Sequence, residues 1–370
     1  EKSFPPFLQI LTMQYFSVIP HEVTEEIGEE FRRNPVGTGP FKFKVWEEGV
    51  KLVLEKNPKY FEFEGTHRLP YMDAIAISFV KDKQSALLSF IKEDFDLISG
   101  ADVINSDQVF GEDGEFKDEF KGRFVLQKGP YLKTDYLGFL VDENLEIVKN
   151  SPLKNKLVRQ AVNYAIDRQK IITFIRSGIG KPANSGFVPH GMPSFDAKKV
   201  KGYEYDPDKS RKLLADAGFP QGEGLPEIIF NTTEQFLEIS EFIQSQLNEV
   251  GIKMKINVNK AVVLSEQVAS SKYNFFRKNW VGDYADAQNF LSVFYSKNFS
   301  PNGPNYVHFK NTTFYDLYEY ALTETDDENR FAIYQKMDSI IVEEAPVVPL
   351  FYDEMIRLVQ PGVENLSPNA

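Results

Sequence analysis

The order strand, helix, strand, which recurs after residue 206, constrains this chain more than any other feature. Residues 227–231 form an apolar strand, 234–250 predict a helix ended by Gly251, and 252–256 alternate as a second strand. Asp206-Pro207-Asp208 caps a further helix that closes at Gly218. Helices placed between strands in this way imply an α/β lobe with a largely parallel sheet. The front of the chain reads differently. Residues 41–46 alternate strictly, turn at Glu48-Gly49 and return over 51–57 as a hairpin. A strand at 74–80, a helix at 82–91 and a short strand at 95–100 follow. Ahead of the hairpin, 22–33 carries acids before bases, the order a single helix dipole favours.

A chain of 370 residues exceeds one ordinary core, so two domains are expected. Between the two regions, 124–127 and 136–140 read as two strands flanking a crossing point. Residues 156–167 then show helical spacing, with Arg159 to Arg168 forming a solvated face that includes an ion pair with Asp167. Amphipathic helices are expected at 316–321 and 328–343, and the proline-flanked run 346–352 as a second strand passing between lobes.

Composition removes several functions. A net charge of −12 with no basic block argues against a nucleic-acid partner. With no cysteine there is no disulfide and no thiolate chemistry. No apolar run approaches the length of a membrane span. The first residue is Glu1 and no signal-like segment follows, so an export signal is expected to have been removed. The chain has 32 Phe and 17 Tyr, more than a core alone calls for, and the surplus suits a crevice holding apolar side chains.

The stretch 275–290 concentrates the chemistry. It begins as an apolar strand, turns at Gly282 and resumes as a helix near Asp286, so Arg277, Trp280, Asp283 and Tyr284 fall at a strand-to-helix junction. Open α/β sheets keep their ligand crevices at such junctions. Asp, Arg and Trp suit a small ligand with an ammonium, a carboxylate and apolar parts. The same residues also fit an ordinary strand end with a buried Trp and an Asp capping the next helix. Asp283 and Asp286 together could serve a carbohydrate-active hydrolase, although three residues apart across a turn they read better as ligand anchor and cap. The histidines His21, His67, His190 and His308 are far apart and imply no metal. Neither Gly37-Thr38-Gly39 nor Gly178-Ile179-Gly180 has the spacing of a phosphate loop.

Several strings, in order along nearly the whole chain, resemble the peptide/nickel type of bacterial extracellular solute-binding proteins, the receptors of ABC importers. They are 34–41 (Asn-Pro-Val-Gly-Thr-Gly-Pro-Phe), 54–60, 158–168, 205–214, Trp280 to Asp283, and 345–350. The resemblance implies a periplasmic-binding-protein-like α/β fold: two lobes with mixed sheets, joined by hinge strands and closing around the ligand. Residues 1–35 would be the remnant of a preceding domain, 36–136 the first part of lobe one, 137–344 lobe two and 345–370 the return to lobe one. The family's long N-terminal region would be missing.

In peptide-binding members the Asp after the Trp holds the ligand's ammonium, which matches Asp283; an Arg before the Trp matches Arg277. Trp280, Tyr284 and Tyr306 would supply walls, and the strand end at Ser99 would face the cleft. The implied protein is no enzyme. It acts as a monomer without a cofactor, outside the cytoplasm (periplasmic or lipid-anchored), and hands a peptide-like solute to an ABC permease. An oligosaccharide or metal chelate is the alternative ligand, and a hydrolase using Asp283 the alternative class.

Overall fold

The computed structural model describes residues 3–100 and 106–366. Of these, 11–98 form one compact unit, and 3–10, 99–100 and 106–366 the other. In the smaller unit the expected hairpin is present as β1 (Phe41–Glu47) and β2 (Lys51–Lys56), turned at Gly49 with φ +72°. After a two-residue ribbon, β3 (Phe63–Glu64) with β4 (His67–Arg68), strand β5 (Ala74–Ser78) adds to β2 and completes an antiparallel sheet. The helix Lys83–Ile91 is capped by Asp82, whose side chain accepts the Ser85 N–H at 2.7 Å. The single helix expected over 22–33 is instead two short ones, His21–Ile27 and Gly28–Arg32, because Gly28 turns the backbone to φ +54°. The chain leaves this unit through β6 (Leu97–Ser99).

The larger unit is built on β7 (Val125–Phe139), β8 (Lys181–Pro182), β9 (Ile228–Thr233), β10 (Met254–Asn259), β11 (Phe275–Val281) and β12 (Val347–Val359). Their order is β10-β9-β11-β7-β12, with β8 also on β12. The expected parallel pairing holds for β10, β9 and β11, but β7 is antiparallel to both β11 and β12, so the sheet is mixed. Two short strands were expected where β7 is one continuous strand. Pro130, which cannot donate to a ladder, sits where the register shifts and residues 131–133 stand opposite Asp353 alone. Residue 136 lies within β7, and the tail pairs with this strand from Val347 to Val359.

Alternation along the strands divides the interior. Leu137, Phe139, Phe275 and Val348 face one core, filled by helices Lys156–Tyr164 and Leu237–Glu249. Tyr136, Phe276 and Val347 face the other, filled by Ala261–Ala269, Ala287–Leu291, Thr312–Ala321 and Asp327–Glu344. Gly138 is required between them, since a Cβ there would lie 2.6 Å from the Phe276 ring.

Arg159 and Arg168, expected on a solvated face, are 6% and 2% exposed. Arg159 donates to the carbonyls of Ala345, Leu153, Lys154 and Glu344, and Arg168 to those of Pro349 and Asn163. The guanidinium fork thus ties the helix to the start of β12.

The register shift also lets Lys133 of β7 reach Asp353 of β12 at 2.8 Å, where Arg176 joins at 2.6 Å; Lys133 lies 3.0 Å from Asp135 as well. Burial works against the Asp353 charge, yet Arg176 and Lys133 hold its carboxyl below the usual range. A carboxyl depressed in the folded state adds stability above its unfolded pKa and loses it as pH falls. Asp353→Asn should cost about 3–5 kcal/mol at neutral pH, the usual effect of breaking a buried pair. Urea unfolding of both proteins should show the gap narrowing below the ordinary carboxylate range; a gap independent of pH would contradict the pairing.

Candidate functional site

Alternation along β11 separates residues that the sequence placed in one pocket. Arg277 lies on the face of the first core, its guanidinium 4.8 Å from the Phe236 ring centroid and hydrogen-bonded to Asp135. Asp135 also holds Lys133, so Arg277 ends a row of alternating charges: Arg277, Asp135, Lys133, Asp353, Arg176. Trp280 and Lys278 lie on the opposite face, packed toward the second core. There the Lys278 ammonium sits 4.0 Å over the Tyr306 ring, and burial, then Arg277, pushes its pKa down.

After Trp280 the chain turns sharply. Gly282 donates its N–H to Leu132 at 2.7 Å, and a Cβ on it would come 2.8 Å from the Phe290 ring, so only glycine fits without a shift. Asp286 caps the helix Ala287–Leu291 by accepting the Gln288 N–H at 2.8 Å, the cap expected from the sequence. That helix aims Asn289 back at the turn. Its Oδ1 accepts the Trp280 Nε1–H at 2.9 Å and the Asp283 N–H at 3.3 Å, and its Nδ2 donates to Asp283 Oδ2 at 3.2 Å. One buried amide therefore fixes both Trp280 and Asp283. Asp283 itself is exposed and makes no ion pair among the described residues, so its carboxylate presents an uncompensated charge. Tyr284 is half-buried and donates to Gln288, which in turn donates to Tyr318; burial pushes the Tyr284 hydroxyl up.

The structure thus brings Trp280, Asp283 and Tyr284 together and places Tyr306 on the same face of β11, while Arg277 serves the opposite face. Ser99 is exposed, and among the described residues no hydrogen bond joins it to the 280–284 turn. Sequence reasoning missed Asn289 and Gln288, which lie in the helix after the turn and act back across it, and Asp135, which meets Arg277 only through sheet pairing. Among the described residues no group of His, Asp or Glu could hold a metal ion, and no helix is long and apolar enough to cross a membrane.

The family described as bacterial extracellular solute-binding proteins, family 5 Middle, matches residues 1–302. The glutathione-binding protein GsiB of Shigella flexneri is 26% identical over 365 residues, covering 96% of this chain and 66% of that protein. The oligopeptide-binding protein OppA of Bacillus subtilis is 26% identical over 385 residues, covering 96% and 65%. The chain thus spans just under two thirds of the length of these relatives. Among solved structures, the ABC transporter-associated periplasmic binding protein DppA of Helicobacter pylori, in complex with peptide STSA, superposes with a TM-score of 0.77. It is 26% identical, and the match covers 98% of this chain and 68% of that one.

Asn289→Ala should leave the Trp280 indole N–H without its acceptor and cost about 1–3 kcal/mol. In a Trp46→Phe background, where Trp280 is the one tryptophan, its emission on selective excitation should shift and acrylamide quenching should rise. Unchanged quenching would show that packing, rather than Asn289, holds the ring.

Proposed function

Because the chain belongs to family 5 of the bacterial extracellular solute-binding proteins, we propose that it is the receptor of an ABC importer and captures short peptides by their free amino terminus. The observation that carries this reading is Asp283: an exposed carboxylate with no counter-ion among the described residues, held in place by Asn289 beside Trp280. A ligand ammonium is the partner such a group lacks. Trp280 and Tyr284 offer apolar walls with fixed polar ends, which suits ligands whose backbone is constant and whose side chains vary. Glutathione and oligopeptides, named for the relatives above, both carry a free amine. Arg277 acts in this reading through Asp135 and Lys133, holding the adjoining strands in register. The protein works outside the cytoplasm, in the periplasm or on a lipid anchor, and delivers its ligand to a membrane permease.

Asp283→Ala should weaken binding of a free-amine tripeptide by on the order of 2–5 kcal/mol, measured by calorimetry. The N-acetylated tripeptide should bind weakly to both proteins and no longer distinguish them. If acetylation leaves the difference intact, Asp283 does not hold the ammonium; binding of oligosaccharides alone would discard the peptide and keep the receptor.

A further inference from the structure

We propose that the larger unit carries a second ligand pocket, for a small zwitterion such as a free α-amino acid, at the end of β11 opposite Trp280. A cavity of about 350 Å³ opens beside Val141, two residues beyond the end of β7. Phe139 pairs with Phe275, the first residue of β11, so the cavity lies about 20 Å along the strand from the Asp283 turn at the usual rise per residue. A volume of that size is enough for a small metabolite.

The ring of His308 gives the pocket its polarity. Its side chain is 10% exposed and stacks on Phe299, with centroids 4.5 Å apart and planes 4° from parallel. Three oxygens surround its Nε2: the Ser300 and Ser271 hydroxyls, at 3.1 and 3.3 Å, can donate or accept, but the Ser300 carbonyl oxygen, at 3.1 Å, can only accept and so assigns the proton to Nε2. In the neutral ring Nδ1 then holds a bare lone pair. That buried atom has no hydrogen-bond partner among the described residues and faces Asp142 Oδ2 at 3.6 Å. The other Asp142 oxygen is fixed by the Asn144 N–H and side-chain amide, at 3.0 and 2.8 Å. His308 is held in place as well, at φ +52°. Two acceptors are thus locked toward each other with no donor between them, which is the arrangement an ammonium satisfies.

The counterpart for a carboxylate is in the same wall. Arg159 is a buried cation whose four hydrogen bonds all go to backbone carbonyls. One Nη2–H is left over, and no carboxylate pairs with the guanidinium among the described residues. At the rim, Glu143 and Lys310 are exposed and make no hydrogen bond or ion pair among the described residues. Phe299 and Val141 supply an apolar patch between the two signs of charge. An amino acid matches all three demands.

The test reads the pocket directly, by NMR of the whole protein labelled in its histidine rings, with the His308 signal assigned through His308→Gln. Without ligand, His308 should be the neutral tautomer protonated at Nε2. L-Leucine should move the His308 signal alone and saturably, while N-acetyl-L-leucine and L-leucinamide, each lacking one charge, should bind at least about tenfold more weakly. Glu143→Gln and Lys310→Gln, both surface changes, should each weaken L-leucine by about two- to fivefold, and Asp283→Ala should leave the titration unchanged. A His308 ring protonated at Nδ1 without ligand would mean that a proton already fills the gap, and would overturn the proposal. So would a His308 signal unmoved by L-leucine up to its solubility, or a titration abolished by Asp283→Ala, which would assign the binding to the 280–284 turn.

Discussion

The pairing of β7 with β12 is the contact on which the larger unit depends. These strands are far apart in sequence, yet they run antiparallel from Val347 opposite Gly138 to Val359 opposite Val125. Every other strand of this sheet is placed by reference to them: β11 adds to β7, and β9 and β10 follow it. The shift near Pro130 is what turns the pair into an electrostatic device. It lets Lys133 reach across to Asp353, and Asp135 carries the alternation on to Arg277 of β11. Strand register is thus pinned by charge as well as by the two apolar faces.

Buried charge elsewhere is handled through the backbone. Arg159 and Arg168 direct their hydrogen bonds to carbonyl oxygens rather than to carboxylates, and each joins a helix to the end of the chain that forms β12. Asp338 does the converse: it accepts the N–H groups of Phe187 and Val188 at 2.7 and 3.2 Å, while burial pushes its carboxyl up to about 7. These groups convert irregular segments into fixed ones, because each charged side chain satisfies polar groups that no ladder or helix would otherwise reach. Asn289 works on the same principle at smaller scale. It spends its amide on Trp280 and Asp283, and so leaves the Asp283 charge directed outward instead of drawn into a salt bridge.

Function in this architecture follows from where charge is left unanswered. Most ionised groups on the larger sheet are paired, so an exposed carboxylate beside a fixed indole at one end of β11 stands out chemically. The unmatched imidazole and carboxylate oxygen at the other end stand out for the same reason. Both occur where the strand gives way to loop, where side chains can face solvent and still be held by the sheet behind them.

The sequence by itself determined the elements: the hairpin at Gly49, the caps at Asp206 and Asp286, and the β-α-β run that orders β9 and β10. These depend on side chains a few residues apart, and local spacing records them. It also marked the 275–290 stretch and Asp283, because a Trp, an Asp and a glycine turn at a strand end are legible without a fold. Tertiary structure alone decided that β7 is one strand, that Arg159 and Arg168 are interior, and that Arg277 meets Asp135. Each of those outcomes rests on a partner more than a hundred residues distant, such as Asp135 for Arg277 or Ala345 for Arg159. Periodicity predicts which face of an element is apolar; only the packed chain settles which buried dipole or charge will meet it.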